Sequence, residues 1–271
     1  MSTRLDHVLN GLKEKGRKGL IIYLTAGMPD AEGTIDAVRR AEEAGADVIE
    51  LGLPFSDPMA DGPVIQTASV AALKGGMTLA KVREIVQAIR RFSEMPLVGM
   101  GYVNNMLHYG FPRFVEDFKA AGMDGVIIPD VPHEESGEMR EICAAHDFPL
   151  MEFITPGTTP ERMQETCASA AGFIYCVSNN GVTGVKKVDY SRIGKIVKGA
   201  RAYTKTPLAV GFGIGSPEAA VEAAAEADAV IVGSAVVKLL LADRRDEAAD
   251  LIAAMRKALD AAYHGRGRCR K

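Results

Sequence analysis

The chain has 271 residues, is 47% apolar and carries a net charge of −3. That is enough apolar material for one large core, and the charge gives no reason to expect nucleic acid or a membrane surface as partner. Four cysteines, Cys143, Cys167, Cys176 and Cys269, lack C-x-x-C spacing, and Met1-Ser-Thr-Arg-Leu5 lacks a secretory apolar region, so reduced thiols and a cytoplasmic location are expected.

An amphipathic helix is predicted from about Thr3, with Leu5, Val8, Leu9 and Leu12 on one face. From Gly19 onward, apolar runs alternate with segments of helical period. The runs are Leu20–Leu24, Val48–Leu51, Leu97–Tyr102, Val126–Ile128, Leu150–Ile154, Phe173–Val177, Leu208–Val210 and Ala229–Val232. Between them, Leu79, Val82, Ile85, Val86, Ile89 and Phe92 share a helical face, as do Phe114, Val115 and Phe118. Met139, Ile142 and Cys143 form a further such set, then Ile193, Ile196 and Val197, and last Leu251, Ile252, Met255 and Leu259. None of the runs approaches the length of a membrane span. Strands alternating with helices predict a parallel sheet with right-handed crossovers, and eight units predict a closed (β/α)8 TIM barrel of the α/β class. Without a break in composition, one barrel domain over 1–271 is expected. An extra N-terminal helix, short extra helices after strands 2 and 8, and a frayed basic tail at 265–271 complete the prediction.

The second run carries a carboxylate. In a strand Val48, Glu50 and Gly52 share one face and Ile49 and Leu51 the other. With helices over the Ile49/Leu51 side, Glu50 faces the barrel interior, where an ionised carboxylate must be paired or have its pKa raised. A loop with Pro54, Pro58, Asp57 and Asp61 follows, and Pro63 suits a first helical position. Singly, these acids are ordinary ion-pair and turn residues. Together, near the C-terminal end of one barrel strand, they make an acid/base pair. Glycines after strand 7 (Gly213, Gly215) and Gly233-Ser234 before a short helix have the placement of a barrel phosphate cradle. His7, His108, His133, His146 and His264 are scattered, so no metal site is expected, and His133-Glu134-Glu135 reads as a helix start. No predicted strand contains a Schiff-base lysine, no G-x-S-x-G elbow is present, and the Gly211–Gly215 spacing is wrong for a dinucleotide. What remains is acid/base chemistry on a phosphorylated small molecule.

The stretch Glu50-Leu-Gly-Leu-Pro-Phe-Ser-Asp-Pro-Met-Ala-Asp-Gly-Pro-Val-Ile-Gln66 resembles the signature of the tryptophan synthase alpha subunit family. Met100–Asn104, Pro129–Ser136, Gly181–Gly184, Gly211–Ile214 and Gly233–Lys238 resemble that family too, in its order, so the resemblance covers nearly the whole chain. It implies retro-aldol cleavage of indole-3-glycerol phosphate to indole and glyceraldehyde 3-phosphate. Glu50 would be the acid and base, Asp61 would accept from the ring N–H, and Tyr175 would orient Glu50. The ring would lie among Tyr23, Met100, Tyr102, Ile128, Ile154 and Phe212, with Gly184, Gly213, Gly233 and Ser234 on the phosphate. Ser178–Lys187 would be a lid whose Thr183 meets Asp61. No cofactor is implied in this chain. The implied partner is a pyridoxal-phosphate beta subunit in an alpha2-beta2 tetramer, met through Pro54, Phe55, Asp57 and Pro58. The chain departs from the family pattern at Asn179-Asn180, where arginine is common, and at Tyr23, where phenylalanine is. Three other functions compete: another phosphate-binding barrel such as an isomerase, a catalytically inert regulatory subunit, and a stand-alone indole-producing lyase.

Overall fold

A computed structural model describes residues 3–177 and 190–263. Eight parallel strands run in the order β4-β3-β2-β1-β8-β7-β6-β5. They are β1 Gly19–Thr25, β2 Val48–Gly52, β3 Leu97–Met100, β4 Gly125–Ile127, β5 Glu152–Ile154, β6 Ile174–Val177, β7 Leu208–Gly211 and β8 Ala229–Val232. A lone parallel bridge from Val126 to Leu150 joins the β4 and β5 edges, so the sheet is a nearly closed TIM barrel. The helices are α1 Arg4–Glu14, α2 Ala31–Glu43, α3 Pro63–Lys74, α4 Leu79–Ile89, α5 Val103–Tyr109 and α6 Phe111–Ala121, then α7 Gly137–Ala145, α8 Pro160–Ser169, α9 Tyr190–Arg201, α10 Pro217–Ala223, α11 Ser234–Leu241 and α12 Arg245–Tyr263.

Two apolar clusters follow from strand alternation. Outward side chains such as Ile22, Leu24, Ile49, Leu51 and Val126 pack with the helices. Inward ones, including Ile21, Val48, Val98, Ile127, Met151 and Phe173, fill the barrel together with Leu5, Leu9 and Leu12 of α1. The first helix therefore plugs one mouth. Its start is fixed by a capping box in which Thr3 Oγ1 accepts the Asp6 N–H (3.1 Å) and Asp6 Oδ2 accepts the Thr3 N–H (2.9 Å).

That same N-terminal mouth repeats one device three times. Asp47, Asp124 and Asp228 each precede a strand and accept an N–H from the first or second residue of the neighbouring strand: Leu20 (2.8 Å), Leu97 (2.8 Å) and Leu208 (2.9 Å). Each acid also meets an arginine, Arg256 (3.0 Å), Arg90 (2.7 Å) and Arg201 (2.5 Å) respectively. The recurring Asp before β2, β4 and β8 is visible in the sequence as Ala46-Asp47, Met123-Asp124 and Ala227-Asp228, a signal the strand assignment passed over.

Some local expectations change. Strand β3 stops at Met100 because Tyr102 caps α5, a helix the apolar pattern had not separated from the strand. His133–Glu135 is a single 3-10 turn, and α7 begins only at Gly137. Phe92 lies beyond the end of α4 and is 37% exposed, its ring covered by the Arg39 guanidinium at 4.5 Å. The basic tail at 265–271 lies outside the described residues.

Arg90 also donates to the carbonyls of Gly122, Ser93 and Met95. Removing one partner of such a buried pair leaves an uncompensated charge. Arg90→Ala is expected to cost about 3 kcal/mol or more in urea unfolding while leaving the opposite mouth of the barrel intact.

Candidate active site

The C-terminal mouth is built differently. Glu50 pairs in register with Tyr23 on β1 and Val98 on β3, and its side chain points inward. It is 1% exposed, and among the described residues its Oε2 has no hydrogen-bonding partner. Burial raises its pKa to about 8, with the charge of Asp61 pushing the same way. The neutral form of Glu50 is therefore favoured at pH 7.

Asp61 reaches the site from the loop between β2 and α3. That loop is bolted at several points. Ser69 Oγ on α3 accepts the Phe55 N–H (2.9 Å) and donates to the Phe55 carbonyl (3.1 Å), while Asn105 Nδ2 of α5 donates to the Pro54 carbonyl (3.2 Å). Tyr102 Oη accepts the Ala60 N–H (3.0 Å), and its ring stacks on Phe55 with centroids 5.3 Å apart. Held so, Asp61 is 7% exposed, and burial raises its pKa to about 6 against the opposing hydrogen bond from Tyr102. None of Ser69, Asn105 and Ala60 was singled out from the sequence, because a loop's anchors carry no periodic signal.

Three tyrosines surround the two acids. Tyr23 and Tyr175 are buried, and burial together with the acids raises both hydroxyl pKa values. A β-carbon at Gly52 would collide with the Tyr23 hydroxyl, and one at Gly211 with the Tyr175 hydroxyl. Those two glycines are thus the clearances that let both rings reach in. Tyr175 stacks on Phe153, centroids 5.2 Å apart. Tyr23 clusters with Met28, Ala68 and Val237, and Ile65 and Met100 pack against that group.

The expected ring slot needs one correction. Ile128 and Ile154 belong to the outer cluster between barrel and helices. Their neighbours Ile127 and Phe153 face the interior instead. The expectation named the neighbouring residue, one position off, at both strands. Ile65, on α3 and packed against the Tyr23 group, stands within the Glu50–Gln66 stretch but was not singled out from it. Phe212 stands at the rim, 38% exposed, with φ of +83°, a conformation disfavoured for a bulky residue. Thr183, Gly184 and the expected lid Ser178–Lys187 lie outside the described residues.

At the same mouth, Gly213 has φ of +74°, and Gly233 caps α11 without a side-chain hydrogen bond. Val236 and Val237 donate to the Gly233 carbonyl, and Ser234 is exposed at the first turn. A β-carbon at Gly233 would lie 3.4 Å from Tyr23 Cβ, so the start of this helix adjoins the apolar slot. The mouth thus combines two buried acids, an apolar slot and a helix N-terminus suited to an anion.

A family model described as tryptophan synthase alpha chain matches residues 9–263. The chain belongs to the tryptophan synthase alpha chain family. A relative of that name from Desulfatibacillum aliphaticivorans is 45% identical over 236 residues, 87% of this chain and 89% of the relative. One from Geobacter sulfurreducens is 41% identical over 261 residues, 95% of this chain and 99% of the relative. Among solved structures, tryptophan synthase subunit alpha from Legionella pneumophila superposes with a TM-score of 0.88 at 34% identity, covering 96% of this chain and 100% of that one. Tryptophan synthase from M. tuberculosis, in its aminoacrylate-bound form, gives 0.86 at 32% identity over 95% and 99%.

In this alpha chain the loop expected to meet a partner divides in two. Pro54 and Pro58 are buried in the chain's own fold and shape the loop, whereas Phe55 is half-buried and Asp57 exposed. Met59, not picked from the sequence, is 83% exposed. Among the described residues no helix is long and apolar enough to cross a membrane.

The buried acid has a stability signature. Below about pH 4.5 the Glu50 carboxyl is neutral in folded and unfolded chains alike; between there and about pH 8 only the unfolded chain releases its proton, so stability falls as pH rises. Glu50→Gln is expected to gain least at pH 5 and on the order of 2–4 kcal/mol at pH 8. Urea midpoints across that range read it, and a gain independent of pH would contradict it.

Proposed function

We propose that Glu50 and Asp61 cleave indole-3-glycerol phosphate to indole and glyceraldehyde 3-phosphate, the lyase reaction of tryptophan synthase alpha chains. The observation that carries the residue assignment is the buried carboxyl of Glu50, whose Oε2 has no hydrogen-bonding partner among the described residues and whose pKa burial raises to about 8. Neutral Glu50 has a proton to give to ring carbon C3, which weakens the bond to the glycerol side chain. The carboxylate left behind takes the proton of the adjacent glycerol hydroxyl as that bond breaks. The bonding pair returns to the ring, an aldehyde forms, and Glu50 is neutral again. Protonation at C3 places positive charge on the ring, and ionised Asp61 accepts from the ring N–H to stabilise it. Tyr175 limits where the Glu50 carboxyl can swing. Tyr23, Ile65, Met100 and Phe153 supply the apolar slot, while backbone N–H groups of Gly213, Gly233 and Ser234 take the phosphate.

Membership of an alpha chain family implies a beta partner. We place the contact on the exposed Asp57 and Met59, within four residues of Asp61, and expect an alpha2-beta2 tetramer whose beta subunit carries pyridoxal phosphate and consumes the indole. The chain would act as one barrel domain in the cytoplasm, consistent with the free buried thiols of Cys143, Cys167 and Cys176.

Glu50→Gln and Asp61→Asn should each lower kcat by about 10²–10⁴-fold with the fold retained. In the wild type, kcat/KM should rise as Asp61 ionises near pH 6 and fall as Glu50 ionises near pH 8, apparent values that belong to the coupled pair. A variant with near wild-type turnover would remove its residue from the mechanism.

For the partner surface, Met59→Glu should weaken beta-subunit binding by about tenfold or more, measured by calorimetry, because burying an added charge at an interface is costly. Unchanged affinity would move the contact elsewhere.

A further inference from the structure

Tyr190 opens α9, and its hydroxyl donates to the Gly213 carbonyl at 3.1 Å. Its ring is half-buried against the core between the barrel and the helices. Gly213 follows Phe212, and the two hold consecutive positive φ angles of +83° and +74°. A bulky residue in that region does not stay there by its own preference, and glycine has the widest backbone freedom of any residue, so the shape of this turn must be held from outside. Among the described residues the Tyr190 hydroxyl is the one hydrogen-bonding partner of the Gly213 carbonyl. A trans peptide is planar, with its carbonyl and N–H on opposite sides. Fixing the Gly213 carbonyl against α9 therefore fixes ψ of Gly213 and turns the Ile214 N–H the other way.

We infer that Tyr190 is a positioning residue for the phosphate, a strut from α9 that pre-shapes the Phe212–Gly213 turn so that its backbone N–H groups are already aimed at the anion before substrate arrives. The inference rests on the proposed phosphate cradle and deepens it. The hydroxyl is suited to the task because burial, with Glu222 nearby on α10, pushes its pKa up to about 12, so it remains a donor throughout the working pH range. The turn carries no side-chain cation at Gly213, Ile214 or Gly215, and neutral backbone donors hold an anion well only when they are arranged in advance. The strut thus acts on affinity for the phosphate end of the substrate and makes no contact with the side chains that line the ring slot.

Tyr190→Phe keeps the ring and removes only the strut. In the full chain, sn-glycerol 3-phosphate should bind about three- to ten-fold more weakly, while indole affinity moves by less than about two-fold. With indole-3-glycerol phosphate, KM should rise by the same factor and kcat hold. Tyr190→Ala, which also loses the ring, should weaken phosphate binding at least as far. Unchanged glycerol phosphate affinity in Tyr190→Phe would overturn the inference. Equal losses for indole and glycerol phosphate would overturn it as well, since they would mark Tyr190 as merely structural. Failure of the wild-type chain itself to bind glycerol phosphate would instead sink the cradle, and the strut with it.

Discussion

Everything at the C-terminal mouth depends on a carboxyl held in an apolar barrel, its Oε2 without a hydrogen-bonding partner among the described residues. Isolating Glu50 from water disfavours its charge, and the fold adds to the effect by lowering a second acid toward it. The two pKa values are not set alike. Glu50 lies on a strand among inward side chains and has only desolvation and a like charge acting on it. Asp61 lies on a loop, keeps a hydrogen bond from Tyr102, and is raised less. Two carboxyls of similar intrinsic acidity become one proton carrier and one anion, because one sits on a strand and the other on a loop.

The opposite mouth shows what the same residue type does when it is paired. Asp47, Asp124 and Asp228 each accept a strand N–H and meet an arginine. Their bonds are spent on holding adjacent strands in register, so they have no capacity left for chemistry. A barrel with a plugged, ion-paired floor can tolerate an unpaired acid near its open end, since the strands are already fixed below it. Stability and reactivity are separated along the barrel axis, and the separation is between satisfied and unsatisfied carboxylates.

Much of this was legible from residues alone. Eight apolar runs at regular spacing predict the barrel, and period-two alternation around Glu50 predicts its inward direction, because Ile49 and Leu51 on either side need helices to cover them. Pro63 marked the start of α3. What escaped had specific causes. At β4 and β5 the apolar runs are short and apolar on both faces, so nothing in the sequence sets their phase; Ile128 and Ile154 looked as suitable as Ile127 and Phe153. The loop anchors Ser69 and Asn105 are polar residues on helices, indistinguishable from solvated ones until the loop is seen to lie across them. Tyr102 looked like part of a strand because aromatic residues favour strands, whereas its backbone caps a helix and its hydroxyl holds the acid-bearing loop.

The glycines complete the picture of how a narrow barrel admits aromatic substrate chemistry. With four strands on either side contributing inward side chains, the interior has no room for two tyrosines and a ring unless something is left out. Gly52 on β2 and Gly211 on β7 leave out a side chain where the Tyr23 and Tyr175 hydroxyls lie. Each tyrosine stands on the strand next to its glycine, β1 beside β2 and β6 beside β7, so both clearances are made between hydrogen-bonded neighbours and neither requires the sheet to bend. Each hydroxyl lies where the β-carbon of its neighbouring glycine would otherwise stand. Tyr175 takes Phe153 on one face, which limits its freedom to rotate. Glu50 lies level with Tyr23 in the β1–β2 register and its charge acts on Tyr175, and a carboxyl with few rotamers open to it can serve one substrate atom after another without losing its place.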